Sequence, residues 1–279
     1  VAAAMTLVAY RPGIVSIVVA LFVIGARQLG LSILMHEAAH LTLFKNRRIN
    51  DWTANWLCAY PVWADLKPYR SYHLQHHAKN WTEDDPDLSL ATPFPITRAS
   101  LRRKIWRDLS GQTGWKRAKA TLRRDLGTSR GGDQRLSLGE MSHRRGKGSE
   151  ALRGMIITNA ILLATLAMAG HAELYLLWIV SWFTTYSLVM RVRAIAEHAM
   201  APDPGDHMLN TRTTTTTWWG RLLVAPNRVN FHLEHHLLMS VPHYNLPTMH
   251  RLLKERGALK NACVAKSYTE VLRTAASAA

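Results

Sequence analysis

The chain has little cysteine and comparatively little acid. Its only two cysteines in 279 residues, Cys58 and Cys263, lie far apart and outside any C-x-x-C spacing. That excludes a disulfide scaffold and leaves both as ordinary packed thiols. Asp and Glu number 19 against 35 Lys and Arg, a formal net charge of +16. No glycine-rich nucleotide or flavin fingerprint occurs, so electrons for any redox chemistry must come from outside. No cytochrome-like haem segment is fused to the chain, and the histidine motifs are its one internal repeat. Charge is also absent locally: the mean hydropathy of −0.09 averages long uncharged stretches with blocks dense in Arg and Lys. That alternation marks a membrane protein, and it assigns the positive charge to a membrane surface rather than to nucleic acid. The 48% hydrophobic content excludes intrinsic disorder.

What is present first is a set of spans. The uncharged run from Pro12 pauses at Arg27 and Gln28 and resumes to Met35. Residues 12–35 are therefore long enough to cross a bilayer, which takes about 20 helical residues. Arg27 is expected to face a helix bundle in a structural role. Residues 1–10 read as the end of an earlier span, with Arg11-Pro12-Gly13 as the turn and a preceding piece missing ahead of Val1. A cleaved signal peptide is rejected, because the apolar run leads straight into a histidine motif. Residues 155–170 and 173–191 form a helical hairpin around the tight tip Gly170-His171-Ala172-Glu173. Segment 52–66 is interrupted by Pro61 and reads as interfacial, with Trp52, Trp56 and Trp63 at headgroup level.

Between Arg98 and Arg153 there are 16 Lys and Arg against 5 Asp and Glu, whereas the hairpin tip has no cation. The positive-inside rule then puts the basic loop in the cytoplasm and the tip outside. The expected fold is a single all-α integral membrane domain over 1–279. It has about four long transmembrane helices, the first partly missing. A cytoplasmic helical cap (67–153 and 194–279) holds a histidine-rich dimetal site. The threonine run Thr213 to Thr217 is taken as a strand-like or loop segment without a site.

Fourteen histidines are present, and nine fall into four clusters. His36-Glu37-Ala38-Ala39-His40 ends the first full span, and a spacing of four projects both rings from one helix face. Alone, H-E-x-x-H divides evenly between a zinc-protease signature, another metal site and coincidence. His73-Leu74-Gln75-His76-His77 and His232-Leu233-Glu234-His235-His236 are both H-x-x-H-H, three rings within an arc of about 100°. A lone histidine pair on an amphipathic helix is usually structural; two triplets and a pair on one side of a membrane are not. His198, where the hairpin's second helix emerges, matches them in depth and side. His143, His171, His207, His243 and His250 lie in loops or the tail and are read as non-ligands. Eight or nine imidazoles exceed the four ligands of one zinc and suit two ions of higher coordination number. The membrane setting and the lack of thiolates favour non-haem iron in oxygen chemistry.

In this order the three boxes resemble those of the integral-membrane fatty acid desaturase and hydroxylase superfamily. The surroundings are similar too: Tyr69-Arg70 before the second box, Asp85-Pro86-Asp87 after it, and Asn230, Val241-Pro242 and Leu246-Pro247 around the third. The resemblance covers roughly residues 27 to 255. It implies a mushroom-like fold and a di-iron centre on His36, His40, His73, His76, His77, His198, His232, His235 and His236. It also implies O2-dependent desaturation of a lipid acyl chain, with a separate electron donor such as a ferredoxin. Glu37, Asp65, Glu197, Asn230 and Glu234 are candidate acceptors for the imidazole N–H groups. Lipid hydroxylase and carotenoid ketolase are alternatives within the superfamily. An intramembrane zinc protease needs a further ligand motif that the spans lack, and a metal transporter needs ligands across the mid-membrane path.

Overall fold

The structure is a computed structural model that describes residues 1–128 and 149–278. The remainder of the basic loop, with His143, lies outside the described residues. Three helical segments are long and apolar enough to cross a membrane: Ile14–Ala39, Glu150–Met168 and Ala172–His198. The first is helix α2 (Ile14–Ala39), preceded by α1 (Ala2–Tyr10), which buries Ala4, Met5 and Val8. Helix α8 (Ser149–Met168) carries the second. The third is a broken pair, α9 (Tyr175–Phe183) and α10 (Thr185–His198), hinged at Thr184.

The spans are bound by close approach and by polar groups, as association inside lipid requires. A Cβ at Gly25 would stand 2.3 Å from Thr185 Oγ1 and 2.8 Å from Tyr186 N, so only glycine lets α2 meet α10 there. Gln28 donates to Trp178 O (2.8 Å), Ser32 pairs with the Tyr186 hydroxyl (2.8 Å), and Thr185 donates to Leu21 O (2.6 Å). Arg27 donates to Leu222 O (2.6 Å), capping the C-terminal carbonyls of the short helix α11 (Trp218–Leu223). That is the structural role expected of it.

Segment 52–66 lies against this bundle. Helix α3 (Arg47–Thr53) runs into a π-turn, Ala54–Ala59, and a 3-10 turn, Tyr60–Val62, which ends at Trp63 in the left-handed region (φ 61). Cys58, Ala59, Tyr60 and Val62 are buried while Trp52 and Leu57 are exposed. Trp63 does not stand free at an interface, because its indole donates to Asp125 (2.9 Å).

The spans end later than hydropathy suggests. Helix α10 continues past Arg191 and Arg193 to His198, and α2 reaches Ala39. Around these ends sit α4 (Leu66–Lys79), α5 (Leu88–Ala91), α6 (Arg98–Leu109), α7 (Gln112–Asp125), α12 (His232–Leu237), α13 (Leu246–Glu255) and α14 (Tyr268–Ala275). A two-residue parallel ribbon, β1 (Thr213–Thr214) with β2 (Val264–Ala265), ties the tail together. A second small core of Leu101, Ile195, Ala196, Val271 and Ala275 joins α6, α10 and α14. The stretch 98–125, expected as part of a helical cap, is two helices, and they lie against the third span.

Candidate metal centre

Each histidine is presented by a helix end, and the ends are locked to one another. Arg70 of α4 donates to Ala38 O (2.8 Å) and Ala39 O (3.1 Å), the open carbonyls at the C-terminus of α2, and pairs with Asp51. This seats His36 and His40 against α4. Asp65 caps α4 by accepting from Lys67 N (3.1 Å). Tyr69 stacks on His73 at 5.3 Å between ring centroids.

The nine imidazoles sort into two groups. His36, His40, His73, His77 and His235 form the first; His76, His198 and His236 form the second, to which His232 is joined through His198 and Glu197. The ring nitrogens converge: His40 to His73 is 2.9 Å, His73 to His77 is 3.0 Å, His77 to His235 is 3.1 Å, and His198 to His232 is 2.8 Å, all Nε2 to Nε2. Two imidazole nitrogens bound to one ion at about 2.1 Å and at right angles stand about 3.0 Å apart. Both H-x-x-H-H boxes are divided between the groups. His73 and His77 enter the first and His76 the second; His232 and His236 enter the second and His235 the first. Positions i and i+4 lie about 40° apart around a helix while i+3 falls about 60° to the other side, so one box straddles two ions.

The donor set fits a metal. Nε2 of His36, His76 and His236 is buried without a hydrogen-bond partner, a costly state that a shared cation resolves. The rings are also held neutral, as ligation requires. Burial, reinforced by neighbouring imidazoles, lowers His40 to about 3 and His77 to about 2, and places His73, His232, His235 and His236 well below the usual histidine value. His76 is the exception. Burial opposes its charge, but the hydrogen bond from Nδ1 to Asp85 (2.8 Å) and the charges of Asp87, Asp85 and Glu197 push its pKa up.

Of the five polar residues expected to support the imidazoles, two stand beside them. Glu37 lies 3.5 Å from His36 Nδ1, with its other oxygen accepting from His243 N (2.8 Å). Glu197 lies 3.6 Å from His232 Nδ1 and accepts from Arg193 Nε (2.6 Å). Glu234 is turned away, to His250 Nδ1 (2.6 Å) and the Thr213 hydroxyl. Asn230 donates to Thr214 O (3.1 Å). Asp65 makes its contact at the cap of α4, away from both groups.

Asp85 is the residue that sequence reasoning left without a role. The backbone amides of Trp81 and Asp87 both donate to it, so the loop after the second box is folded around the carboxylate. Its one signal was its place in Asp85-Pro86-Asp87, nine residues after His76. His243 and His250, read as non-ligands, touch Glu37 and Glu234 rather than either group. The threonine run, read as having no site, places Thr213 on Glu234.

A cavity of about 50 Å³ opens beside the groups, bounded by Ser32, Met35, Asp87, Met190, Arg193 and Glu197. It reaches His76, His198 and His232 of the second group but only His73 of the first.

Membrane-spanning helices that end in two converging imidazole groups define a membrane protein able to hold two metal ions. Sequence comparison agrees with this class. The model of the fatty acid desaturase family matches residues 12–266, and the chain belongs to that family. It is 27% identical over 235 residues to dihydrorhizobitoxine desaturase of Bradyrhizobium elkanii, covering 81% of this chain and 64% of the relative. The chain thus spans somewhat less than two thirds of the length of this curated relative.

Proposed function

We propose that the protein is an O2-dependent, non-haem di-iron desaturase that introduces a double bond into an acyl chain carried by a lipid or by coenzyme A. The observation that carries this reading is the convergence of nine imidazoles from four helix ends into two groups, one of them open to a cavity. Iron held there by these imidazoles would supply the oxidising power: two hydrogens leave adjacent carbons and, with two electrons from a separate carrier such as a ferredoxin and two protons from water, O2 becomes two waters.

The chain's own residues hold and orient. Asp85 fixes the tautomer of His76 by taking its Nδ1–H, which leaves Nε2 as a lone-pair donor. Arg193 holds Glu197 against His232. Met35, Leu90 and Met190 give the cavity an apolar side against which a chain can rest, presenting one pair of C–H bonds to the site. Glu37, the base of a zinc protease, is instead engaged by His243, which speaks against that reading.

The test is expression of the full chain with a compatible electron donor, followed by mass analysis of the cellular lipids. A new double bond supports the proposal; an alcohol at the same carbon makes the protein a hydroxylase. A second substrate reading has an observation of its own: Asp87, Arg193 and Glu197 give the cavity a charged side, which suits a polar substrate, and the curated relative is named for dihydrorhizobitoxine. Turnover of that compound with unchanged lipids would replace the acyl chain as substrate.

The proposal places the histidines on the cytoplasmic side, on the strength of the basic residues there. In a Cys263→Ser background, Ala172→Cys should react with an impermeant thiol reagent in intact cells and Lys260→Cys should not. The reverse pattern would invert the topology.

A further inference from the structure

The α6–α7 hairpin is fastened to the third span at several points along its length. Leu101 packs with Ile195 in the small core. Asp108, fully buried, takes a bidentate ion pair from Arg191 (Nη2 to Oδ1, 2.8 Å) and a hydrogen bond from Thr113 (2.6 Å). A Cβ at Gly114 would stand 2.3 Å from Phe183 O, so α7 lies directly on the backbone of α9. Arg117 is buried beneath it, its guanidinium 4.2 Å from the centroid of the Trp182 ring.

These contacts set the depth. From Ala172 to Arg191 the helical rise of about 1.5 Å per residue carries the chain about 30 Å, the thickness of the hydrocarbon layer. Asp108, paired with Arg191, therefore marks the headgroup plane at the histidine end, and the turn into α7 dips beneath it. The outward face of the hairpin suits that position. Trp106, Leu109, Trp115, Leu122 and Leu126 are exposed, as are Ile156, Ile157 and Ile161 of α8. At the same height a hollow of about 670 Å³ is lined by Ser100, Arg102, Arg103, Trp106, Arg107 and Gln112. Among the described residues no carboxylate lines it, and no ion pair is made by Arg102, Arg103 or Arg107.

We propose that this hollow binds the headgroup of an anionic phospholipid, with its phosphodiester held by Arg102, Arg103 and Arg107 and its glycerol backbone against Trp106. Guanidinium groups match phosphate oxygens in pairs, and an indole at the boundary is suited to the interface. The site lies apart from the histidine groups, and the inference depends on the chain's insertion in a membrane, not on the reaction it performs.

The experiment is native mass spectrometry of the full, metal-loaded chain released from detergent. It is titrated with phosphatidylglycerol or with phosphatidylcholine of the same acyl composition. The wild type should retain one phosphatidylglycerol at a concentration at least tenfold below that needed for phosphatidylcholine. Each arginine contributes about fivefold near an anionic surface, so Arg103→Gln should lose about fivefold and the triple variant Arg102→Gln/Arg103→Gln/Arg107→Gln all selectivity. Equal retention of the two lipids by the wild type would overturn the proposal without any variant. So would a well-folded triple variant, judged by metal content and gel filtration, that keeps its preference. If the triple variant keeps its lipid but loses binding to an acidic ferredoxin, the face is a protein-docking surface and the lipid proposal is overturned.

Discussion

The two imidazole groups are built from the same residue type and surrounded differently. The first gathers five rings, and among the described residues the carboxylate paired with it is Glu37, 3.5 Å from His36. The second gathers fewer rings among more acid: Asp85 and Asp87 lie 2.8 and 3.8 Å from His76 Nδ1, and Glu197 lies 3.6 Å from His232. The cavity reaches three rings of the second group and one of the first. Ligand number and access thus run in opposite directions. A crowded group has its positions filled by protein, whereas a sparser one beside a cavity keeps a position for a reactant. The carboxylates around the second group then orient rings that fewer neighbours constrain.

The largest expected effect separates the groups by removing one ring from each. His235→Ala and His198→Ala should both abolish product formation, because oxidising a strong C–H bond tolerates neither a lost nor a displaced ion. Their metal contents should differ. The wild type should hold about two ions per chain; His198→Ala should fall toward one, and His235→Ala, with four rings left in its group, should keep more. Elemental analysis of purified protein reads this directly. Equal losses would erase the distinction, and one ion in the wild type would remove the dimetal reading altogether. Zinc in an overexpressed sample counts as occupancy, since it binds the same imidazoles more tightly than iron(II).

The next effect concerns orientation. Asp85→Asn keeps the shape of the carboxylate but removes its charge and one of its two accepting oxygens, so either His76 or the amide of Trp81 loses its acceptor and the bond that fixes the His76 ring weakens. Metal affinity or activity should drop about 10- to 100-fold. Glu37→Gln should cost less, because its contact with His36 is longer and its firmest bond is to the backbone of His243. Metal titration of the two variants checks the order. A larger loss in Glu37→Gln would mean that the crowded group is the one that depends on carboxylate support.

Much of this arrangement was legible beforehand, and the misses have physical causes. Hydropathy located the spans, because lipid-facing helices such as α8 must be apolar nearly all round. It ended the third span at 191, since Arg191 and Arg193 stop any apolar window while the helix itself continues to His198. The boxes announced metal ligands. Their division between two groups was implicit in the 40° and 60° offsets of an H-x-x-H-H helix, yet nothing in one box alone shows which ring meets which partner. Arg117 was unreadable. A cation in a basic stretch looks solvated, and the groups that receive it here, the rings of Trp182 and Tyr186, the Trp182 carbonyl and the hydroxyl of Ser187, all lie some 65 residues or more away. Asp85 was hidden for the same reason, in a loop whose folding around the side chain leaves no periodicity.

The smallest expected effect tests whether support reaches beyond the rings themselves. Glu234 is fully buried between His235 and Leu233 in sequence, yet its hydrogen bonds go to His250 and Thr213. His250→Ala would leave one carboxylate oxygen without its donor, a loss on the order of 1 kcal/mol for a partly solvated bond. The third-box helix is only six residues long, and Glu234 is its one carboxylate. Thermal unfolding should therefore shift by a few degrees and activity should fall a few-fold with metal content unchanged. His250→Gln, which restores a donor, should recover part of it. His207→Ala is the comparison: His207 is exposed and should show neither change. If the two variants behave alike, the link from α13 through Glu234 to the third box carries nothing. The two groups are then shaped by the rings and by Asp85, Glu37 and Glu197 alone.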